Sequence, residues 1–229
     1  MNERRPMNRQ VDRLALVAAA AVVFVSTAAA QQGPIESDLA RLADGAGLQV
    51  FNRTVSSLSD AARNGLHLSE KPGDGVAYLR GITFTNGTIE CDIRGKDVQQ
   101  QSFVGIAFGG VDSMTYEAVY FRPFNFRADD AIRRGHSVQY IAHPAFQWPR
   151  LRAEHPGVYE QPVHPVPDPN DWFHARIVVS GSQVSVFVDG ATTPSLVVHR
   201  LSEHPAGLVG LWVGNTSGGD FANLRMLPE

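Results

Sequence analysis

Residues 171–190 read DWFHARIVVSGSQVSVFVDG, and their alternation decides the fold class. Phe173, Ala175, Ile177 and Val179 fall on one side of an extended chain, and Trp172, His174 and Arg176 fall on the other. After Gly181-Ser182, Val184, Val186 and Val188 repeat the period of two as far as Asp189-Gly190, a hairpin-turn dipeptide. Successive side chains of a strand point to opposite faces, so this pattern predicts half-buried strands of an antiparallel sheet. Downstream, Val209, Leu211 and Val213 alternate with Gly210, Trp212 and Gly214, and the stretch 219–226, GDFANLRM, closes the domain.

Upstream the same signals recur as LQVFNRTV (48–55), GLHLSE (65–70), VAYLRGITF (76–84), GTIECDIRGK (87–96) and SFVGIAFGG (102–110). Turn chemistry separates them at Gly73-Asp74-Gly75, Asn86-Gly87 and Gly109-Gly110. No helical period persists long enough for a βαβ crossover. The chain is therefore expected to be all-β, a two-sheet antiparallel β-sandwich of about a dozen short strands.

The segments 171–179, 184–190, 207–212 (GLVGLW) and 220–225 (DFANLR) resemble the end of concanavalin A-like jelly rolls. The resemblance extends over most of residues 48 to 228. It includes laminin-G-like modules and, more closely, the 3-keto-disaccharide hydrolase-like domains of exported bacterial proteins. It implies a jelly roll that handles glycans on a concave sheet and its rim loops. Ser137-Val138-Gln139 is similar to a Glu-Val-Gln pattern of that family, with serine here in place of the carboxylate.

The N-terminus carries Arg4, Arg5, Arg9 and Arg13, an apolar run from Leu14 to Val25, then Ala28-Ala29-Ala30. A basic head, short apolar middle and small residues at the end make a secretory signal. The expected organisation is a signal over 1–30, a linker over 31–47 with a brief helix-compatible patch around Asp38 to Ala43, and one domain over 48–229. The mature protein is then periplasmic or secreted, with no stable membrane insertion. The 229 residues carry a net charge of −3, which becomes −5 once the signal's four basic and two acidic residues are removed. An acidic domain with scattered basic residues is a poor partner for nucleic acid. The single cysteine, Cys91, precludes an internal disulfide, and the alternation of Ile89-Glu90-Cys91-Asp92-Ile93 puts it on the apolar face.

Residues 116–160 hold the residues suited to a site. Tyr120 and Arg122 share a strand face opposite Val119 and Phe121, which run with Glu117. A returning strand carries Gln139. A long excursion over 142–170 then holds seven of the 14 prolines together with Trp148, Arg152 and Glu160. So long a connection without its own period is uncommon and usually either functional or disordered. The rings of Phe146, Trp148 and Tyr159 argue for an ordered rim that includes a short helical turn over Trp148 to Glu154. Gly105 and Ala107 leave room over the sheet, and Trp212 between two glycines is expected to present its ring with little cover.

A flat ring beside a fork of donors suits a sugar, which has an apolar face and polar edges. The expected partner is a carbohydrate, bound in a concave groove by Tyr120, Arg122, Asn125, Gln139, Trp148, Arg152 and Trp212. The rival reading is a hydrolase or lyase acting on a sugar derivative, with Glu160, Glu117 or His136 in acid–base work. A third is an adhesion or assembly module without glycan binding. Glu90-Cys91-Asp92 begins a glycosidase-like carboxylate pattern but continues with Gly95. His136, His143, His155 and His164 match no compact metal motif, so no metal or cofactor is expected. A structural calcium would use Asp129, Asp130 or Asp220.

Overall fold

A computed structural model describes residues 1–3, 33–44, 46–59, 63–204 and 206–229. The expected signal lies, beyond its first three residues, outside the described residues. The strands are β1 (Ile35–Ser37), β2 (Leu48–Phe51), β3 (Val55–Ser59), β4 (Asn64–Leu68) and β5 (Gly75–Phe84). They continue with β6 (Gly87–Arg94), β7 (Val104–Gly110), β8 (Tyr116–Phe121), β9 (Val138–His143) and β10 (Glu160–Gln161). The last are β11 (Phe173–Ser180), β12 (Gln183–Val188), β13 (Leu196–His199), β14 (Gly207–Val213) and β15 (Gly219–Pro228). Four short helices lie between them: α1 (Leu39–Ala43), α2 (Pro123–Phe126), α3 (Ala131–Arg134) and α4 (Trp148–Glu154).

Two antiparallel sheets form the sandwich. One has the order β13-β12-β11-β6-β15-β4-β3, with β1 also on β15; the other has the order β10-β9-β8-β7-β14-β5-β2. In the first sheet the predicted alternation holds. Phe173, Ala175, Ile177 and Val179 are buried while His174 and Arg176 are partly exposed. Cys91 is fully buried with Ile89 and Ile93, and burial pushes its thiol up, away from reactive thiolate chemistry.

The second sheet differs, because every residue of β7 and β8 is buried on both faces. Its inner face packs on the first sheet, so its outer face has a cover of its own. The excursion supplies part of that cover through α4, whose Leu151 is buried, and through β10, which pairs along β9.

The segment expected to be a linker is partly structural. Ile35 pairs with Met226 through β1, and Leu39 of α1 is buried in the core. With only three residues β1 is too short to display a period, so sequence reading misses it, whereas α1 falls on the brief helix-compatible patch around Asp38 to Ala43.

On the outer face of the first sheet two carboxylates are enclosed by cations. Asp92 accepts hydrogen bonds from Arg63 at 2.8 Å and Asn223 at 2.7 Å, and its other oxygen lies 2.8 Å from His174 Nδ1. Asn223 sits at an irregularity of β15 with φ +52°, which turns its amide onto Asp92. Asp220 meets His67 at 2.7 Å and Arg94 at 2.9 Å, so this candidate calcium ligand is already engaged. Burial alone would raise Asp92, but hydrogen bonds from His174, Arg63 and Asn223 hold it at about 2. The hydrogen bonds to Asp220 and Asp92 raise His67 and His174 above their ordinary range.

A histidine raised in the folded state stabilises fully below its unfolded value and loses that contribution as pH rises through the folded one. The double variant His67→Gln/His174→Gln is therefore expected to lie furthest below the parent in Tm near about pH 5.5 and to approach it by about pH 8.5. Thermal melts of both proteins across this range check the sign, and a deficit that grows with pH would contradict it.

Candidate functional site

The register of the second sheet lines up one row of residues facing outward. Glu160 pairs with Gln139, Gln139 with Tyr120, Tyr120 with Gly105 and Gly105 with Trp212. Directly opposed residues share a face, so these five positions form a transverse band across five strands. Gly105 is required at its centre. A Cβ there would lie 2.5 Å from Tyr120 Cα, and its absence lets the Tyr120 and Trp212 rings approach to 4.8 Å. The neighbouring row, with Ile141, Ala118, Ala107 and Gly210, is mostly small and keeps the surface concave.

Tyr120 and Trp212 of this band, with Ile141 of the neighbouring row, lie along the floor of a groove of about 470 Å³. Trp148 and Arg152 from α4 wall one side, joined by His136, Asn125 and Arg133 from the segment between β8 and β9. Loops at the end of the sandwich add Asp74, Gln99, Gln100 and Asn215. Gln147, just before α4, also lines it.

At the α4 end the groove is organised by a carboxylate. Glu160 is only 3% exposed and accepts two hydrogen bonds from Arg152, Nε at 2.7 Å and Nη2 at 2.6 Å. Its Oε2 lies 2.9 Å from His136 Nδ1 and 3.7 Å from Arg122 Nη1. Arg122 in turn donates to the His136 carbonyl at 2.9 Å, the Tyr120 hydroxyl at 2.7 Å and Gln139 Oε1 at 3.2 Å. Burial and the two guanidiniums push His136 below its ordinary value against the pull of Glu160. The imidazole is thereby favoured in its neutral form at neutral pH.

The other end holds a second polar group. Trp212 Nε1 donates to the Tyr116 hydroxyl at 3.0 Å, and the Tyr116 ring stacks on His143 at 4.8 Å. His143 Nε2 lies 3.7 Å from Asp74. Burial pushes the Asp74 carboxyl up, opposed by His143, the Asn215 backbone, Arg53 and Tyr116.

The residues selected from sequence thus fall into three groups. Trp148, 45% exposed, and Arg152 are open to a ligand, with the guanidinium 4.8 Å from the indole centroid. Tyr120, Arg122, Asn125 and Trp212 line the groove but are at most 5% exposed. Trp212 is therefore not the uncovered ring its flanking glycines suggested, because Tyr116 and Tyr120 from β8 close over it. Gln139 is fully buried and holds Arg122 from beneath.

The three acid–base candidates are not brought together. Glu160 and His136 are adjacent, whereas Glu117 points to the inner face, where it meets Arg200 and the Tyr140 hydroxyl. Glu117 shares its strand parity with Val119 and Phe121, and the core below that face is lined by Tyr140 and Arg200. Ser137 donates to the Arg134 carbonyl.

Sequence reasoning missed Asp74, Gln99, Gln100, Arg133, Gln147 and Asn215. Each lies in a turn or connection, where neither period nor spacing distinguishes a ligand-facing side chain from a solvated one. The run Gln99-Gln100-Gln101 was the one compositional signal.

No protein-family model matches the chain, and no curated protein matches it. Among solved structures, the carbohydrate binding module CBM66 from Bacillus subtilis is 16% identical, with a TM-score of 0.55 over 79% of this chain and 95% of that one. A protein of unknown function with a galectin-like fold from Bacillus subtilis is 12% identical, with a TM-score of 0.57 over 87% and 99%. The exoplasmic/lumenal domain of VIP36 in its Ca2+-bound form is 6% identical, with a TM-score of 0.51 over 80% and 84%. At these identities the likeness is one of fold, and the fold is the lectin-like jelly-roll sandwich.

Proposed function

We propose that this is an exported protein that binds a carbohydrate in the groove of its seven-stranded sheet. The observation that carries the reading is the exposed Trp148 indole with the Arg152 guanidinium against it, above a trough bordered by amides of Gln99, Gln100, Gln147 and Asn215. An aromatic plane covers the C–H face of a sugar ring, while amides and guanidinium N–H groups meet its hydroxyls. The likeness in fold to a carbohydrate binding module supports the reading by analogy. Export rests on the signal-like residues 1–30, and N-terminal sequencing of the exported protein is expected to begin at or near Gln31.

One observation favours a second reading, a hydrolase of the 3-keto-disaccharide hydrolase-like type. Asp74 lines the groove with its carboxyl raised by burial, as a proton donor requires. Glu160 is a weaker acid–base candidate, since Arg152 clamps both of its oxygens. A glycan-array screen beside a hydrolysis assay on the same sugars separates the readings. Binding without turnover supports recognition, turnover supports the enzyme, and silence in both favours an assembly module.

With a bound sugar in hand, Trp148→Ala and Arg152→Ala are each expected to weaken affinity by about 1–3 kcal/mol. Because the two side chains touch, their effects should be non-additive in a double-mutant cycle. Unchanged affinity in both folded variants would remove the site from this groove.

Glu160→Gln tests the carboxylate as a structural part. It leaves the buried Arg122 without its nearest anion, so a stability loss of about 2–4 kcal/mol by denaturant melt is expected. A variant that keeps full stability while abolishing turnover would instead assign Glu160 to chemistry.

A further inference from the structure

We infer that the groove selects a sugar bearing a carboxylate, a uronic acid residue, over its neutral counterpart. The inference deepens the carbohydrate-binding reading and rests on it. Its basis is a local charge surplus that opposes the charge of the whole chain. Arg122, Arg133 and Arg152 all line the groove, while the anion among them is Glu160 beneath its α4 wall. Three cations against one anion leave this end positive in a chain whose net charge is −3. Asp74 lines the opposite end, where Arg53 is its cationic neighbour and where burial pushes the nearby His143 below its ordinary value.

The guanidiniums are also held ready for an anion. Arg133 donates Nε to Asn125 Oδ1 at 3.3 Å and Nη2 to the Phe124 carbonyl at 2.8 Å. Both acceptors are uncharged, and among the described residues no carboxylate lies within ion-pair distance of Arg133. Arg152 spends Nε and Nη2 on Glu160, which leaves its Nη1 without an acceptor among the described residues. Two bonds fix each guanidinium plane while other N–H groups remain free, so little side-chain entropy is lost on meeting a ligand. A planar carboxylate matches such a fork with two parallel N–H···O bonds. A neutral hydroxymethyl group at the same sugar carbon offers one oxygen and no charge. The Trp148 ring beside Arg152 would carry the apolar face of the same residue.

The test is calorimetric titration of the full mature chain with oligogalacturonate, oligoglucuronate and oligomannuronate, each beside its carboxyl-reduced form. At least one uronate is expected to bind about tenfold or more tightly than its reduced partner, with the preference falling as salt is raised. In Arg133→Gln, with folding checked by circular dichroism, the ratio between the two ligands should fall about tenfold. Equal affinity for a uronate and its reduced form would overturn the inference and leave carbohydrate binding standing. A carboxyl-free sulfated oligosaccharide bound as tightly as the uronates would overturn the assignment to a carboxylate. A preference that survives unchanged in folded Arg133→Gln would overturn its basis in this cluster. Silence with every sugar, charged and neutral, would remove the carbohydrate reading itself.

Discussion

A sandwich sheet ordinarily has one face in the core and one in water, and the seven-stranded sheet of this protein departs from that rule. Its outer face carries a row from Glu160 through Gln139, Tyr120 and Gly105 to Trp212. Two large rings meet there over a glycine, and at one end a carboxylate and a guanidinium are both almost out of water. Charges in such a place are tolerated only when each has partners, because desolvation of an isolated ion costs several kcal/mol. Glu160 has Arg152, Arg122 and His136; Arg122 has two oxygen acceptors from side chains and one from backbone. The arrangement of α4, β10 and the β8–β9 connection follows from the need to deliver those partners.

Two levels of polar organisation separate support from contact. The buried layer, Arg122 with Gln139, Tyr120 and Glu160, is mutually satisfied and has little left to offer a ligand. The exposed layer, Trp148, Arg152 and Arg133, is held by that buried layer and by neighbouring carbonyls, yet retains free donors and an open ring. Recognition sites are built in this way when a rigid shell orients the groups that touch the ligand. The eight-stranded sheet shows the contrasting case. Its Asp92 and Asp220 are each enclosed by a histidine and an arginine on the solvated face.

Much of the fold was legible in the residues. Period-two alternation placed Phe173, Ala175, Ile177 and Val179 in the core, buried Cys91, and identified the chain as all-β, because one apolar face per strand is a local property. The excursion over 142–170 was legible as a wall by its aromatic rings and prolines, and its helical turn at Trp148 to Glu154 matches α4. The strand β1 was not legible, since three paired residues carry no periodic signal, while α1 showed only as a helix-compatible patch around Asp38 to Ala43.

The roles of the site residues divide along the same line. Sequence by itself determined that Tyr120 and Arg122 face away from the core, since strand parity is inherited from the neighbouring residue. It also put Trp148, Arg152 and Glu160 on one connection. Only the tertiary structure decided that β10 returns to pair Glu160 with Gln139, that Trp212 is covered by Tyr116 and Tyr120, and that Glu117 turns inward to Arg200. It alone gathered Asp74, Gln99, Gln100 and Asn215 from three loops at one end of the sandwich. The physical reason is range: parity and propensity act between neighbours in sequence, whereas partners for a buried charge come from wherever the register of the sheet brings them.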